Sequence, residues 1–179
     1  NITFGSQMVK ALRANTDVPL DLHLMIVEPE NHVSEFAKAG ANSITVHAEA
    51  CSNISDTVDK IKRCGVNAGV AISPDTPFST IEHVVNEIDL ILVMSVYPGF
   101  PGQTFIRQSL DKLREIRKHI DTKGLKAELE VDGGINEQTI SSVVEAGATI
   151  VVAGSAVFNE NETVKEAIDK LRSRLTINN

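Results

Sequence analysis

Short apolar runs alternate along the chain with longer stretches in which apolar residues return every three or four positions. The runs fall at 20–26 (LDLHLMI), 43–47 (SITVH), 68–72 (AGVAI), 89–96 (DLILVMSV), 127–131 (AELEV) and 149–153 (TIVVA). Each has the length and apolar content of a strand, and the stretches between them carry the 3.6-residue period of helices. Ile54, Val58, Ile61 and Cys64 share one helical face, and Leu110, Leu113, Ile116 and Ile120 another. Gly40, Gly65, Gly124 and Gly147 stand just after helical patterns, where a left-handed cap is wanted. Residues 1–15 read as a loop and a helix to which Met8, Val9 and Leu12 give an apolar side.

Repeated βα units with apolar strands predict an α/β fold whose parallel sheet is covered by helices. An open doubly wound sheet and a (β/α)8 TIM barrel both satisfy that pattern, and the strand faces discriminate. Asp21, His23 and Met25 alternate with Leu20, Leu22, Leu24 and Ile26. Thr45 and His47 alternate with Ile44 and Val46, and Glu128, Glu130 and Asp132 with Leu129 and Val131. One apolar and one semi-polar face per strand suits a barrel, with helices outside and chemistry at the centre. No GxGxxG follows the first strand, which weakens the dinucleotide-binding alternative. The barrel is the expected fold, with six of its eight βα units visible. A single domain over residues 1–179 is expected, lacking the first two strands because the chain opens on a helix.

Composition excludes several functions. The chain has 179 residues, 42% hydrophobic, with a formal net charge of -7. It can bury a core, and the acidic balance argues against a nucleic-acid partner, which needs a basic face. Aromatic content of 4% with no Trp leaves little for base stacking. No apolar run approaches the length of a membrane helix, so no membrane partner is expected. Cys51 and Cys64 form no CxxC pair, and Cys64 falls on an apolar helical phase, so a core role in a reducing, cytoplasmic setting is the default.

Parallel βα folds bind ligands at the carboxyl ends of their strands. Three such ends are rich in small residues: Ser95 to Gln103, Val131 to Asn136, and Ala153 to Ala156. Each leads toward a helix, and together they predict a nest of backbone N–H groups for a phosphate. No Lys or Arg lies within these turns, so the grip would come from amides. His23 and Asp132 are the candidate reactive groups, an imidazole on a polar strand face and a carboxylate at a strand mouth. Such a pair can share a divalent metal. His47 and Glu49 read as inner-wall hydrogen bonding rather than ligation. His32, His83 and His119 fall on helical stretches and read as surface residues. HExxH, P-loop and G-x-S-x-G motifs are absent.

Six segments in order resemble the ribulose-phosphate 3-epimerase family: Asn1 to Gly5, DLHLM at 21–25, TVHAE at 45–49, MSVYPGFPGQTFI at 94–106, EVDGGIN at 130–136 and VAGSAVF at 152–158. The resemblance implies a (β/α)8 barrel of carbohydrate metabolism that interconverts ribulose 5-phosphate and xylulose 5-phosphate in the pentose phosphate pathway. It implies a divalent metal, zinc first and iron, manganese or cobalt otherwise, with His23 and Asp132 as ligands. Asp132 would also be one of two acid/base catalysts. Gly99, Phe100, Pro101, Gly102, Gly133, Gly134, Gly154 and Ser155 match the phosphate-binding turns, His23 also lies in the substrate site, and Met25 and Met94 match pocket-lining methionines. A homo-oligomer is expected. Tyr97 and Pro101 depart from the family pattern, and Pro101 removes one backbone donor from its turn. The family's His-x-Asp metal pair and second catalytic aspartate have no counterpart in residues 1–20. A 3-epimerase of a hexulose phosphate such as allulose 6-phosphate, or a phosphosugar-binding protein without turnover, remains an alternative.

Overall fold

A computed structural model describes residues 2, 4–97 and 102–175. The chain runs α1 (Ser6–Arg13), β1 (Asp21–Leu24), α2 (Val33–Ala39), β2 (Ser43–His47), α3 (Ile54–Arg63), β3 (Asn67–Ile72), β4 (Leu90–Met94), α4 (Ser109–Lys123), β5 (Glu128–Asp132), α5 (Ile140–Glu145), β6 (Ile150–Val152) and α6 (Val164–Ser173). The strands form a parallel sheet with hydrogen-bonded neighbours in chain order, β1-β2-β3-β4-β5-β6. An open doubly wound sheet reverses its order at a switch point. The described strands show no reversal, which is the arrangement of a partial (β/α)8 barrel. All six strands lie where the apolar runs predict them.

Packing divides the chain into two compact units, 1–72 with 79–91, and 73–78 with 92–179. In the first, β1 and β2 pair in parallel with Asp21 opposite Ser43 and His23 opposite Thr45, and β2 continues into β3 with Thr45 opposite Gly69. Every residue of β2 is buried, and all of β3 after Asn67. Covering on both faces is the habit of parallel sheets. Val33 and Phe36 of α2, and Val58 and Ile61 of α3, join Ile44, Val46 and Val70 in this core. A Cβ on Gly69 would stand 2.1 Å from Thr45 Oγ1, so only glycine lets Thr45 fit against β3. The second unit buries Leu113, Ile116 and Ile120 of α4 with Leu129 and Val131 of β5.

Two expectations are corrected. The stretch between β3 and β4 is not an α-helix. It makes a 3-10 turn over Phe78–Thr80 and then turns bonded Val84 N–H to Ile81 O and Glu87 N–H to Val84 O, three residues back. It still buries Ile81, Val84, Val85 and Ile88. Five β-branched residues among 80–88 restrict χ1 and weaken an α-helix there. In α1, only Val9 of the three predicted apolar residues is buried. Met8 and Leu12 are 44% and 47% exposed and line a groove with Phe4, Leu20 and Phe36.

Candidate active site

The first unit gathers a polar row on one face of β1 and β2. Residues two apart on a strand share a face, so Asp21 and His23 stand beside Ser43, Thr45 and His47. The Ser43 hydroxyl donates to the Asp21 carboxylate. Thr45 opposes His23 in register, and His47 reaches His23 diagonally. Their Nε2 atoms are 2.9 Å apart, with ring centroids 4.9 Å apart and the ring planes within 22° of each other. On its other side, His47 Nδ1 lies 3.3 Å from Glu49 Oε2. His47 is buried, and Glu49 follows just beyond the strand end. The expected hydrogen bonding of His47 and Glu49 is therefore present, and it runs through to His23.

The second unit places Asp132 as the last residue of β5, followed by Gly133 and Gly134 at φ +119° and +65°. The left-handed region that both occupy strains any residue with a Cβ. Ser95, fully buried, holds the turn from the neighbouring strand's end. Its N–H donates to Asp132 O at 2.8 Å, and its hydroxyl lies 3.0 Å from Asp132 O and 2.6 Å from Gly133 O. Asn136 and Thr139 then close the loop into α5, the Asn136 N–H donating to Thr139 Oγ1 and the Gln138 N–H to Asn136 Oδ1. After β6, the Gly154 carbonyl accepts from the N–H groups of Val157 and Phe158, opening a helical turn, and Gly154 and Ser155 are exposed. Ser155 and Asn136 line a common pocket of about 380 Å³.

Of the other predicted residues, Gly99, Phe100 and Pro101 lie outside the described residues, and Gly102 is exposed at φ +77°. Met94 is buried at the end of β4, whereas Met25 is 50% exposed, one residue past β1. Tyr97, a departure from the family pattern, donates its hydroxyl to Asp75 Oδ1 at 3.1 Å, and this bond with the nearby charge raises its pKa. Among the described residues, no group of three or more His, Cys, Asp and Glu is arranged to hold a metal, and no helix is long and apolar enough to cross a membrane. His83 is exposed on the turns before β4, and His32 is half-buried at the start of α2. His119 of α4, also half-buried, packs edge-on against Phe78.

Two residues that sequence patterns did not single out organise these loops. Ser95 was visible only as a member of a small-residue run. Lys112 of α4 donates its ammonium to the carbonyl oxygens of Ser73, Pro74 and Thr76, fixing the segment after β3.

A parallel βα repeat in chain order, with small-residue turns at the carboxyl ends of its strands, is the arrangement of the βα-barrel class. The ribulose-phosphate 3 epimerase family model matches residues 1–158, and the chain belongs to that family, whose members are isomerases. It is 50% identical over 173 residues to a ribulose-phosphate 3-epimerase of Bacillus subtilis (strain 168), covering 96% of this chain and 79% of that protein. It is 45% identical over 176 residues to a protein of the same description from Escherichia coli (strain K12), covering 98% and 78%. Among solved structures, a 3-hexulose-6-phosphate synthase superposes with a TM-score of 0.71 at 18% identity, over 96% of this chain and 81% of that one. At that identity the likeness speaks for the fold alone.

Proposed function

We propose that the protein interconverts D-ribulose 5-phosphate and D-xylulose 5-phosphate, with Asp132 as one of its two acid/base groups. The observation that carries the reading is the placement of Asp132 in a family member: a carboxylate at the carboxyl end of β5, its backbone fixed by buried Ser95. The hydrogen on C3 is adjacent to the C2 ketone. Asp132 takes that proton, the electron pair moves toward the carbonyl oxygen as an enediolate, and a second acid returns a proton to the opposite face. Reversal exchanges the two roles, which requires acid/base groups effective near neutrality.

A divalent metal, zinc first, would act as a Lewis acid on the carbonyl oxygen when bound. The donor types fit it. His23 offers an imidazole nitrogen and Asp132 a carboxylate, and the hydrogen bond of His23 to His47 is of the kind that orients metal-binding histidines. Catalytic zinc generally takes three protein ligands, so these two residues are proposed as part of the set. The phosphate would rest against the turns at Gly133–Gly134 and Gly154–Ser155, where small residues let the backbone approach.

Asp132→Asn removes the base with little change of volume. Exchange of the C3 proton with solvent deuterium should fall by about a thousandfold, with the far-ultraviolet circular dichroism unchanged. Epimerisation retained within about tenfold would sink the assignment, since general acid–base catalysis is worth more than that.

A further inference from the structure

We propose that Glu49 and His47 are positioning residues that fix the tautomer of His23, so that Nδ1 is the nitrogen that would bind the divalent metal. The inference rests on the reading of His23 as a metal ligand and names the residues that prepare it. The three side chains form one line, Glu49 Oε2 to His47 Nδ1 at 3.3 Å and His47 Nε2 to His23 Nε2 at 2.9 Å.

A neutral imidazole carries one N–H and one lone pair, so a hydrogen bond at one nitrogen dictates the role of the other. The Glu49 carboxylate only accepts, which places the proton of His47 on Nδ1. His47 Nε2 is then an acceptor, and His23 must meet it with an Nε2–H. Nδ1 is left as the basic nitrogen of His23. The reverse order would set the His47 Nδ1 lone pair against the carboxylate with no proton between them.

The backbone makes the line possible. Parallel pairing puts Thr45 opposite His23, so His47 lies one diagonal step along β2 on the same face. The two ring planes lie within 22° of each other and meet through their Nε2 edges, as an in-plane N–H···N bond requires. Burial of His47 keeps water from competing for its Nε2, while Glu49 sits nearer solvent, where its charge is well hydrated. Second-layer partners of this kind typically tune metal affinity by about 10- to 100-fold.

Two readouts test the proposal. Long-range proton–nitrogen spectra of the metal-free protein at pH 8, assigned with His23→Gln, should show His23 protonated on Nε2 and unprotonated on Nδ1. Zinc affinity, measured by competition with a chromophoric chelator, should fall about 10- to 100-fold in His47→Phe, with His23 relaxing to mixed tautomers. Glu49→Ala, at a site open to solvent and so little threat to folding, should lose about tenfold. Glu49→Gln, whose amide oxygen still accepts from His47 Nδ1, should recover most of that loss. An Nδ1-protonated His23 in the wild type overturns the proposal. So do an unchanged tautomer and zinc affinity in both His47→Phe and Glu49→Ala. Wild-type zinc affinity in His23→Gln would instead remove the ligand reading beneath it, and the metal-free spectrum tells the two failures apart.

Discussion

Ser95 binds Asp132 twice through the same carbonyl oxygen: its N–H donates at 2.8 Å and its hydroxyl lies 3.0 Å away, closer still to Gly133 O at 2.6 Å. A buried serine at the end of one strand thus sets the backbone from which the proposed base projects. The hydroxyl has one proton and two acceptors within reach, so it bridges the peptide groups on either side of the turn.

Ser95→Ala keeps the N–H contact and removes the bridge. Gly133 O loses the hydroxyl of a fully buried residue as its donor, at a cost of about 1–2 kcal/mol. The carboxylate of Asp132 keeps its chemistry but loses part of its aim. We expect kcat to fall by about tenfold with KM nearly unchanged, since misplacement by a fraction of an ångström weakens proton transfer more than binding. Unchanged kcat together with an unchanged denaturation midpoint would show that the bridge is incidental.

Gly133→Ala tests the turn itself. A Cβ there would lie 2.4 Å from Val96 Cγ2 and 3.0 Å from Val96 Cβ, with the backbone at φ +119°. Val96 is buried and β-branched, so it cannot swing aside. Strain and overpacking together should cost about 3 kcal/mol by urea denaturation. Gly102→Ala is the matched control, because Gly102 has φ +77° but no atom of the described residues within 4 Å of its Cβ position, its chain neighbours aside. It should cost about 1 kcal/mol. Equal losses would mean that Val96 yields more easily than its packing implies.

Local periodicity explains which parts were legible in the sequence. Strands β1 to β6 were readable because each alternates or runs apolar over its length, and Gly40 and Gly124 marked helix ends that do adopt the left-handed cap. The face shared by His23 and Asp21 was readable from the two-residue repeat of a strand. The approach of His47 to His23 was not, since they are 24 residues apart and meet only through the register of β1 and β2. Lys112 looked like any polar position on an amphipathic helix, yet its partners lie 36 to 39 residues earlier. The turns over 81–87 carry a helical spacing of apolar residues, and only their β-branching hinted at poor helix formation. The family motifs point to Asp132 as a candidate, but Ser95 acts through backbone carbonyls, which leave no pattern of side-chain types.

Cys51 offers a check on the electrostatics next to Glu49. Burial pushes its thiol up to about 11, the Glu30 and Glu49 carboxylates add to the rise, and a hydrogen bond with Thr57 opposes it. Only the thiolate alkylates, so at pH 8 the folded protein should react with iodoacetamide on the order of a hundredfold more slowly at Cys51 than the urea-unfolded chain. The rate should climb about tenfold per pH unit up to the raised pKa, as the thiolate fraction does. Mass spectrometry of the labelled peptides reads both, and equal rates in folded and unfolded protein would contradict the raised pKa of this half-buried thiol.

Lys112 poses the sharpest structural test, because its ammonium is committed in three directions. Nζ lies 2.9 Å from Ser73 O, 2.7 Å from Pro74 O and 2.6 Å from Thr76 O, which uses every proton the group carries. These carbonyls belong to one short loop, so the side chain of α4 acts as its internal brace. Lys112→Met preserves the aliphatic stem and deletes the charge. Each lost bond to a charged donor is worth roughly 1.5–3 kcal/mol, but the freed carbonyls regain some water, so a net loss of about 3 kcal/mol is expected. Lys112→Arg should recover less than half of it, because a planar guanidinium cannot point three N–H groups at three converging oxygens. Urea midpoints give the totals, and amide exchange over 73–78 shows whether the loss is local. Lys112→Met within about 0.5 kcal/mol of wild type, the range of ordinary surface substitutions, would mean that the loop holds its shape without the brace.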